Sequence, residues 1–141
     1  RMLIRSAGMG ELIDGFMQQK NRLKENVHVI SNYFTYDEEG CVNGYRNEVI
    51  HPFNKDEGHV QGTAYENIVN ERKNVLLLGD TIGDLKMSQG AAHENVISIG
   101  FLSKNIETQL EAYKEAYDVV ITGDGDMQEA IRVVKEITDR A

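Results

Sequence analysis

Three stretches of the chain hold residue types and spacings suited to chemistry. The sharpest is Leu76-Leu77-Leu78-Gly79-Asp80-Thr81-Ile82-Gly83-Asp84-Leu85-Lys86-Met87, in which an apolar strand delivers Asp80 at its carboxyl end and Asp84 follows on the opening turn of a predicted helix. Residues four apart share one helix face, so the two carboxylates are expected to converge. Clustered carboxylates repel one another unless a cation lies between them, and a hard, oxygen-liganded ion such as magnesium suits that place. The plainer alternative is that Asp80 caps the helix and Asp84 complements its positive end.

The second stretch, Ile4-Arg5-Ser6-Ala7-Gly8-Met9-Gly10, is a strand that ends in a hydroxyl and two glycines ahead of a helix. Ser6 with nearby backbone N–H groups is suited to a phosphate oxygen; the plainer reading makes it a helix N-cap. The third, His51-Pro52-Phe53-Asn54-Lys55-Asp56-Glu57-Gly58, is a loop whose Lys55 could place a fixed positive charge on the same crevice. Most loop lysines are simply solvated, and His51 reads as a packed or surface ring.

The elements that must position these residues follow from periodicity. Short apolar runs at Met2 to Arg5, Val27 to Ser31, Val75 to Leu78, Val96 to Phe101 and Val119 to Thr122 read as buried strands. Helical spacing runs over Glu11 to Glu25, with Leu12, Phe16 and Leu23 on one stripe, and over Val60 to Arg72, Ile106 to Tyr117 and Met127 to Ile137. Strand and helix in alternation predict an α/β fold, a three-layer, doubly wound and mainly parallel sheet of Rossmann-like type. In such sheets ligands sit beyond the carboxyl ends of strands, where Ser6 and Asp80 fall. Tyr33 to Val49 breaks the alternation and predicts a β-hairpin excursion with its turn near Glu39-Gly40. No linker or repeat divides the 141 residues, so a single compact unit is expected.

Composition narrows the function classes. Fifteen basic and 23 acidic side chains leave a net charge of −8, which disfavours nucleic-acid polymers and anionic membranes as partners. With 40% hydrophobic residues the chain can build a core, and disorder throughout is excluded. Cys41 is the one cysteine, so neither an internal disulfide nor a thiolate zinc frame is expected, and a reducing, cytoplasmic setting fits. Apolar runs are too short to span a bilayer. The chain opens at Arg1 almost directly on an apolar run, and its start reads as cut or processed.

Strand–Ser–Ala–Gly, a loop lysine, then strand–Gly–Asp–x–x–x–Asp is the order of the second, third and fourth motifs of the haloacid-dehalogenase-like phosphatases. Within that superfamily the chain resembles the cytosolic 5′-nucleotidase III (pyrimidine 5′-nucleotidase) family over essentially its whole length. The likeness is carried by Ser6-Ala7-Gly8-Met9-Gly10, the strand end Val29-Ile30-Ser31-Asn32, the aromatic-acidic hairpin, Phe53-Asn54-Lys55, Leu78-Gly79-Asp80, Gly83-Asp84 and Ser98-Ile99-Gly100-Phe101. Arg5 departs from the apolar residue expected before the serine, and Pro52 stands at a position the family varies.

The resemblance implies a magnesium-dependent 5′-nucleotidase that hydrolyses nucleoside 5′-monophosphates. Ser6 and the Ala7 amide would bind the phosphoryl oxygens and Lys55 would neutralise them. Asp80 would ligate magnesium, while Asp84 would hold the magnesium shell or Lys55, which assigns Lys55 and Asp84 to the catalytic machinery and Asp80 and Asp84 to the metal. In such enzymes an aspartate attacks phosphorus to form a phosphoaspartyl intermediate, and a second aspartate two residues on serves as acid and then base. That Asp-x-Asp motif and the cap segment would precede Ser6, where this chain has five residues. Residues 1–141 are therefore expected to be the C-terminal portion of a haloacid-dehalogenase-like core domain, inactive alone. A core without its first strand would expose an edge or apolar face and associate through it.

Asp124-Gly125-Asp126 superficially matches the missing motif, after the strand Val119 to Thr122. Asp124 would be the nucleophile only in a circularly permuted chain, whereas Asp126 as a helix N-cap needs no rearrangement. The competing function class is a non-catalytic α/β module that binds phosphate, metal or a partner. A response-regulator-like receiver needs an acidic cluster at the first strand, and Met2 to Ser6 has none.

Overall fold

The chain alternates strands and helices as its apolar periodicity requires. The computed structural model describes residues 1–51, 54, 65–89 and 92–139. Strands β1 (Met2–Met9), β2 (Val27–Asn32), β5 (Asn74–Gly79), β6 (Asn95–Leu102) and β7 (Val119–Thr122) contain the five predicted runs. Helices α1 (Gly10–Gln19), α3 (Ile106–Ala116) and α4 (Gln128–Thr138) lie where helical spacing was read. Of the expected Val60 to Arg72 helix, Glu66–Asn70 forms α2, and residues 60–64 lie outside the described residues. The result is an α/β fold whose strand pairs are parallel except in the hairpin.

Two compact units form, Arg1–Lys55 and Asp56–Ala141, where one was expected. The strands account for it: they pair in three separate sheets, β1 with β2, β3 with β4, and β5 with β6 and β7.

In the first unit β1 runs parallel to β2 from Met2 opposite Val27 to Arg5 opposite Ile30, then slips before Met9 meets Asn32. Helix α1 stops at Gln19, short of the predicted Glu25. Asn21 takes a left-handed conformation at φ 53° and the N–H groups of Lys20 and Asn21 close on Phe16 and Gln18, as helix ends do. Leu23 therefore leaves the predicted stripe, and Leu12 and Phe16 are exposed; Gly10 is the residue α1 buries. The hairpin β3 (Phe34–Tyr36) and β4 (Val42–Tyr45) turns at Gly40, φ 81°, with Asp37 Oδ1 accepting the N–H groups of Glu39 and Cys41. That is an Asx-type turn at the predicted place.

The second unit holds β5, β6 and β7 in an uninterrupted parallel register, from Asn74 opposite Asn95 to Gly79 opposite Gly100 and from Ile99 opposite Val119 to Leu102 opposite Thr122. Ile99 is fully buried at the centre of β6. Leu77, Leu102, Tyr113 and Tyr117 form the core, with Val75, Leu85, Leu110 and Val120 packed around them. Burial of each such aliphatic side chain stabilises by about 1.5–3 kcal/mol. Helix α4 buries Ala130 and leaves Met127, Ile131, Val134 and Ile137 exposed along one stripe.

Candidate functional site

Strand β5 ends at Gly79, and the next turn carries Asp80 on its exposed side. The following element, Ile82–Ser88, is a 3-10 helix rather than the predicted α-helix. Asp84 lies in its first turn and is only 2% exposed. Its Oδ2 accepts three hydrogen bonds, from the Asp80 N–H at 3.1 Å, the Thr81 N–H at 3.0 Å and the Thr81 hydroxyl at 3.0 Å. The Asp84 N–H in turn donates to the Thr81 carbonyl at 3.0 Å. Thr81 and Asp84 thus form a capping box, so the N-cap is Thr81 and not Asp80. Asp84 is buried where its charge is satisfied by orphan donors of a helix N-terminus, and Asp80 is left facing outward.

Beneath this turn lie two tyrosines four apart, Tyr113 in the last turn of α3 and Tyr117 at its C-cap. The Tyr113 hydroxyl donates to the Asp80 carbonyl at 2.7 Å, and the Tyr117 hydroxyl donates to the Thr81 carbonyl. Their rings stack with centroids 5.7 Å apart. The paired glycines Gly79 and Gly100 make room for Tyr117. A Cβ on Gly79 would lie 2.7 Å from the Tyr117 hydroxyl oxygen and 2.6 Å from Asp84 Cβ, and one on Gly100 would lie 2.5 Å from the Tyr117 ring. Burial raises both phenol pKa values, and the carboxylates of Asp80 and Asp84 push them further in the same direction. Both hydroxyls are therefore protonated donors at neutral pH.

In the first unit, Ser6 lies in the stretch where β1 slips out of register. Its Oγ accepts the Gly8 N–H at 3.0 Å, a local turn of the chain. Helix α1 begins later, at Gly10, with Met9 as N-cap and no side-chain cap, so Ser6 does not cap it. Neighbouring carbonyls are tied to β2: Ser31 Oγ donates to the Gly8 carbonyl at 2.8 Å and Asn32 Nδ2 to the Ala7 carbonyl at 2.9 Å. Asn32 also donates to the Ile50 carbonyl and accepts the Ile50 N–H, at 2.9 and 2.7 Å. Gly10 meets the Tyr33 ring, whose hydroxyl donates to Asp14 at 2.7 Å.

Ser6 and Ala7 thus lie inside β1, in the stretch between Arg5 and Met9 where pairing slips, and not beyond the strand end as expected, while Asp80 and Asp84 come together after β5. Lys55, Pro52 and Phe53 lie outside the described residues. Asp126 accepts the Gln128 N–H at 2.9 Å just ahead of α4, whose N-cap is Met127 and not Asp126 as expected, and Asp124 is exposed. Among the described residues no group of three or more His, Cys, Asp or Glu side chains is disposed to hold a metal ion. Sequence reasoning missed Tyr113, Tyr117, Ser31 and Asn32 as supports of the two loops. For the tyrosines a signal existed, namely two phenols four apart at the end of a predicted helix and a glycine late in each of two neighbouring apolar runs.

Comparison with known proteins places this geometry in a family. The model of the pyrimidine 5′-nucleotidase (UMPH-1) family matches residues 1–138. The 7-methylguanosine phosphate-specific 5′-nucleotidase of Gallus gallus is 40% identical over 124 residues, 87% of this chain and 43% of the relative. A 7-methylguanosine phosphate-specific 5′-nucleotidase of Xenopus laevis, form B, is 34% identical over 138 residues, 97% of this chain and 48% of the relative. The crystal structure of cytosolic 5′-nucleotidase IIIB bound to cytidine superimposes with a TM-score of 0.87 at 30% identity, covering 98% of this chain and 46% of that one. The chain spans about half the length of these relatives. With its match running from residue 1 to residue 138, the chain belongs to the pyrimidine 5′-nucleotidase (UMPH-1) family.

Proposed function

We propose that the protein is a cytoplasmic, magnesium-dependent 5′-nucleotidase that hydrolyses nucleoside 5′-monophosphates to nucleoside and phosphate. The observation that carries the reading is the turn after β5, where Asp80 faces outward at the carboxyl end of a parallel strand while Asp84 is buried and hydrogen-bonded behind it. The relatives' names supply the reaction class and the cytosolic setting.

The donor set suits magnesium. Magnesium binds through one or two carboxylates and keeps several waters, so an outward Asp80 meets its needs without a dense protein cage. Asp84 has its Oδ2 committed to three donors of the turn, and the resemblance would have it hold the metal's shell or Lys55. When bound, magnesium neutralises negative charge on the transferring phosphoryl group. On the phosphate side, Ser6 and the Ala7 amide would bind phosphoryl oxygens and Lys55 would offset their charge. Local relief of this kind is needed in a chain of net charge −8. The attacking aspartate that the family resemblance requires would precede Ser6.

The test is phosphate release from cytidine and 7-methylguanosine 5′-monophosphates by a longer chain that carries an Asp-x-Asp strand ahead of Arg1, with and without magnesium. Turnover that needs magnesium and is lost in Asp80→Asn supports the reading. Magnesium and phosphate binding with no turnover of any nucleoside monophosphate would replace it with the non-catalytic binding module.

A further inference from the structure

The turn that presents Asp80 is held more completely than a capped helix start requires. The peptide joining Asp80 to Thr81 is gripped from both sides: its N–H donates to Asp84 Oδ2 at 3.0 Å and its carbonyl accepts the Tyr113 hydroxyl at 2.7 Å. The preceding peptide is fixed by the Asp80 N–H on the same carboxylate oxygen, and the following one by the Tyr117 hydroxyl on the Thr81 carbonyl. Three consecutive peptide planes are thereby fixed, two of them by phenols reaching up from α3. Packing alone does not call for those oxygens, since phenylalanine would fill the same core beside Leu77 and Leu102. The two glycines that flank the Tyr117 ring point the same way, because they sacrifice side-chain packing at the last β5–β6 pair to bring the ring beneath the turn.

We infer that Tyr113 and Tyr117 are positioning residues, whose hydroxyls fix the carbonyls of Asp80 and Thr81 and so set where the Asp80 carboxylate is presented to metal and phosphate. The inference rests on the proposed role of Asp80. The tyrosine hydroxyls are committed to the carbonyls of Asp80 and Thr81, so they would act through the backbone of the proposed metal ligand, as outer supports of metal ligands do elsewhere.

The experiment uses the 141-residue chain with magnesium as probe. Wild type, Tyr113→Phe, Tyr117→Phe and the double variant are titrated with magnesium while the backbone amides of residues 79–84 are followed by NMR, and amide hydrogen exchange is measured without metal. Leu110→Ala serves as a control that weakens the same core while leaving the hydroxyl bonds to the turn in place. The expected result is a magnesium Kd raised about 10-fold in the phenylalanine variants, the scale found for lost outer supports. Faster exchange at Thr81 is expected in the same variants, and the control should lose stability with both readouts unchanged. Loss of stability in the phenylalanine variants with unaltered magnesium affinity and exchange would overturn the inference, leaving the tyrosines a packing role. Should wild type bind no magnesium, the metal reading of Asp80 fails separately. The metal-free exchange rates then decide: unchanged rates at Thr81 remove the positioning role as well, and faster rates keep it for the backbone of the turn.

Discussion

The carboxyl end of β1 is tied down from its neighbouring strand, whereas the carboxyl end of β5 is tied down from a helix. In the last part of β1, the short side chains of Ser31 and Asn32 on β2 reach the carbonyls of Gly8 and Ala7, and the strand slips register there. After β5, the register with β6 stays regular to its last pair, and the long side chains of Tyr113 and Tyr117 rise from α3 past two glycines to the carbonyls of Asp80 and Thr81. Short ties need the strand to deform toward them, and long ties need space cleared beneath the strand ends. The same end, a polar group held beyond a parallel strand, is reached in the first case by backbone irregularity and in the second by glycine placement.

Glycine placement is where the comparison breaks most easily. Gly100→Ala would set a Cβ 2.5 Å from the Tyr117 ring, which is buried at 4% exposure and pinned by its hydroxyl. Overpacking at such a site is expected to cost about 3 kcal/mol. Gly10→Ala meets the Tyr33 ring at 2.4 Å, but that ring is only half-buried and can swing away at the loss of its bond to Asp14, so about 1 kcal/mol is expected. Urea unfolding of both variants checks the order. A larger loss at Gly10 would mean that the β1 loop, not the β5 loop, is the more tightly packed.

The polar ties come next. Asp84→Ala orphans two N–H groups and a hydroxyl, and Asn32→Ala orphans the Ile50 N–H and the carbonyls of Ala7 and Ile50. Each is expected to cost about 2 kcal/mol, the penalty for stranded buried groups outweighing the net worth of the bonds made. Amide exchange should rise locally, at Asp80 and Thr81 in the first variant and at Ile50 in the second. Exchange that rises over both units together would show that the loops are not independent.

Much of this was legible in the sequence, because what positions the loops is hydrophobic periodicity. All five apolar runs became parallel strands, and Asp80 fell just beyond a strand end as the wound-sheet rule requires, whereas Ser6 lies within β1, which runs on to Met9 instead of ending at Arg5. What was not legible has a common cause, namely hydrogen bonds between residues far apart in the chain. Tyr113 reaches Asp80 across 33 positions and Asn32 reaches Ala7 across 25, and no local pattern marks either contact. The end of α1 at Gln19, with Asn21 left-handed just beyond it, and the 3-10 form of Ile82–Ser88 were missed for another reason. Both are set by a few local backbone bonds that compete closely with a regular α-helix. The exposed Leu12, Phe16, Ile131 and Val134 show where amphipathic spacing predicted a helix without predicting its burial.

Alkaline pH probes the phenol ties, with the double phenylalanine chain as the reference for every other group that titrates there. Both tyrosines have pKa values raised above 10.0, chiefly by burial, so the unfolded chain loses these protons more readily than the folded one. Their contribution is complete below the unfolded value and falls away as the pH climbs from about 10 toward the folded values. Stability followed from pH 8 to 11 should therefore drop more steeply in wild type than in the Tyr113→Phe, Tyr117→Phe chain. The β1 loop, tied by serine and asparagine, should show no such loss in exchange at Ile50.

Acid pH gives the smallest effect and the opposite sign. Glu129 on α4 is held below its ordinary value of 4.5 first by the hydrogen bond from Arg132, which also pairs with Glu136 one turn on. A lowered carboxylate value means that its stabilisation is present above the unfolded pKa and lost as the pH falls through the folded one. The pair is exposed, so salt should screen it and the loss should appear as fraying of α4 rather than as unfolding. Glu129→Gln should remove the dependence below about pH 5 while leaving exchange at Ile50 untouched, since neither tie from Asn32 or Ser31 carries a charge. If acid instead loosened Ile50 as early as α4, a charged group would have to support the β1 loop, and the contrast between the two ways of tying a strand end would need a third term.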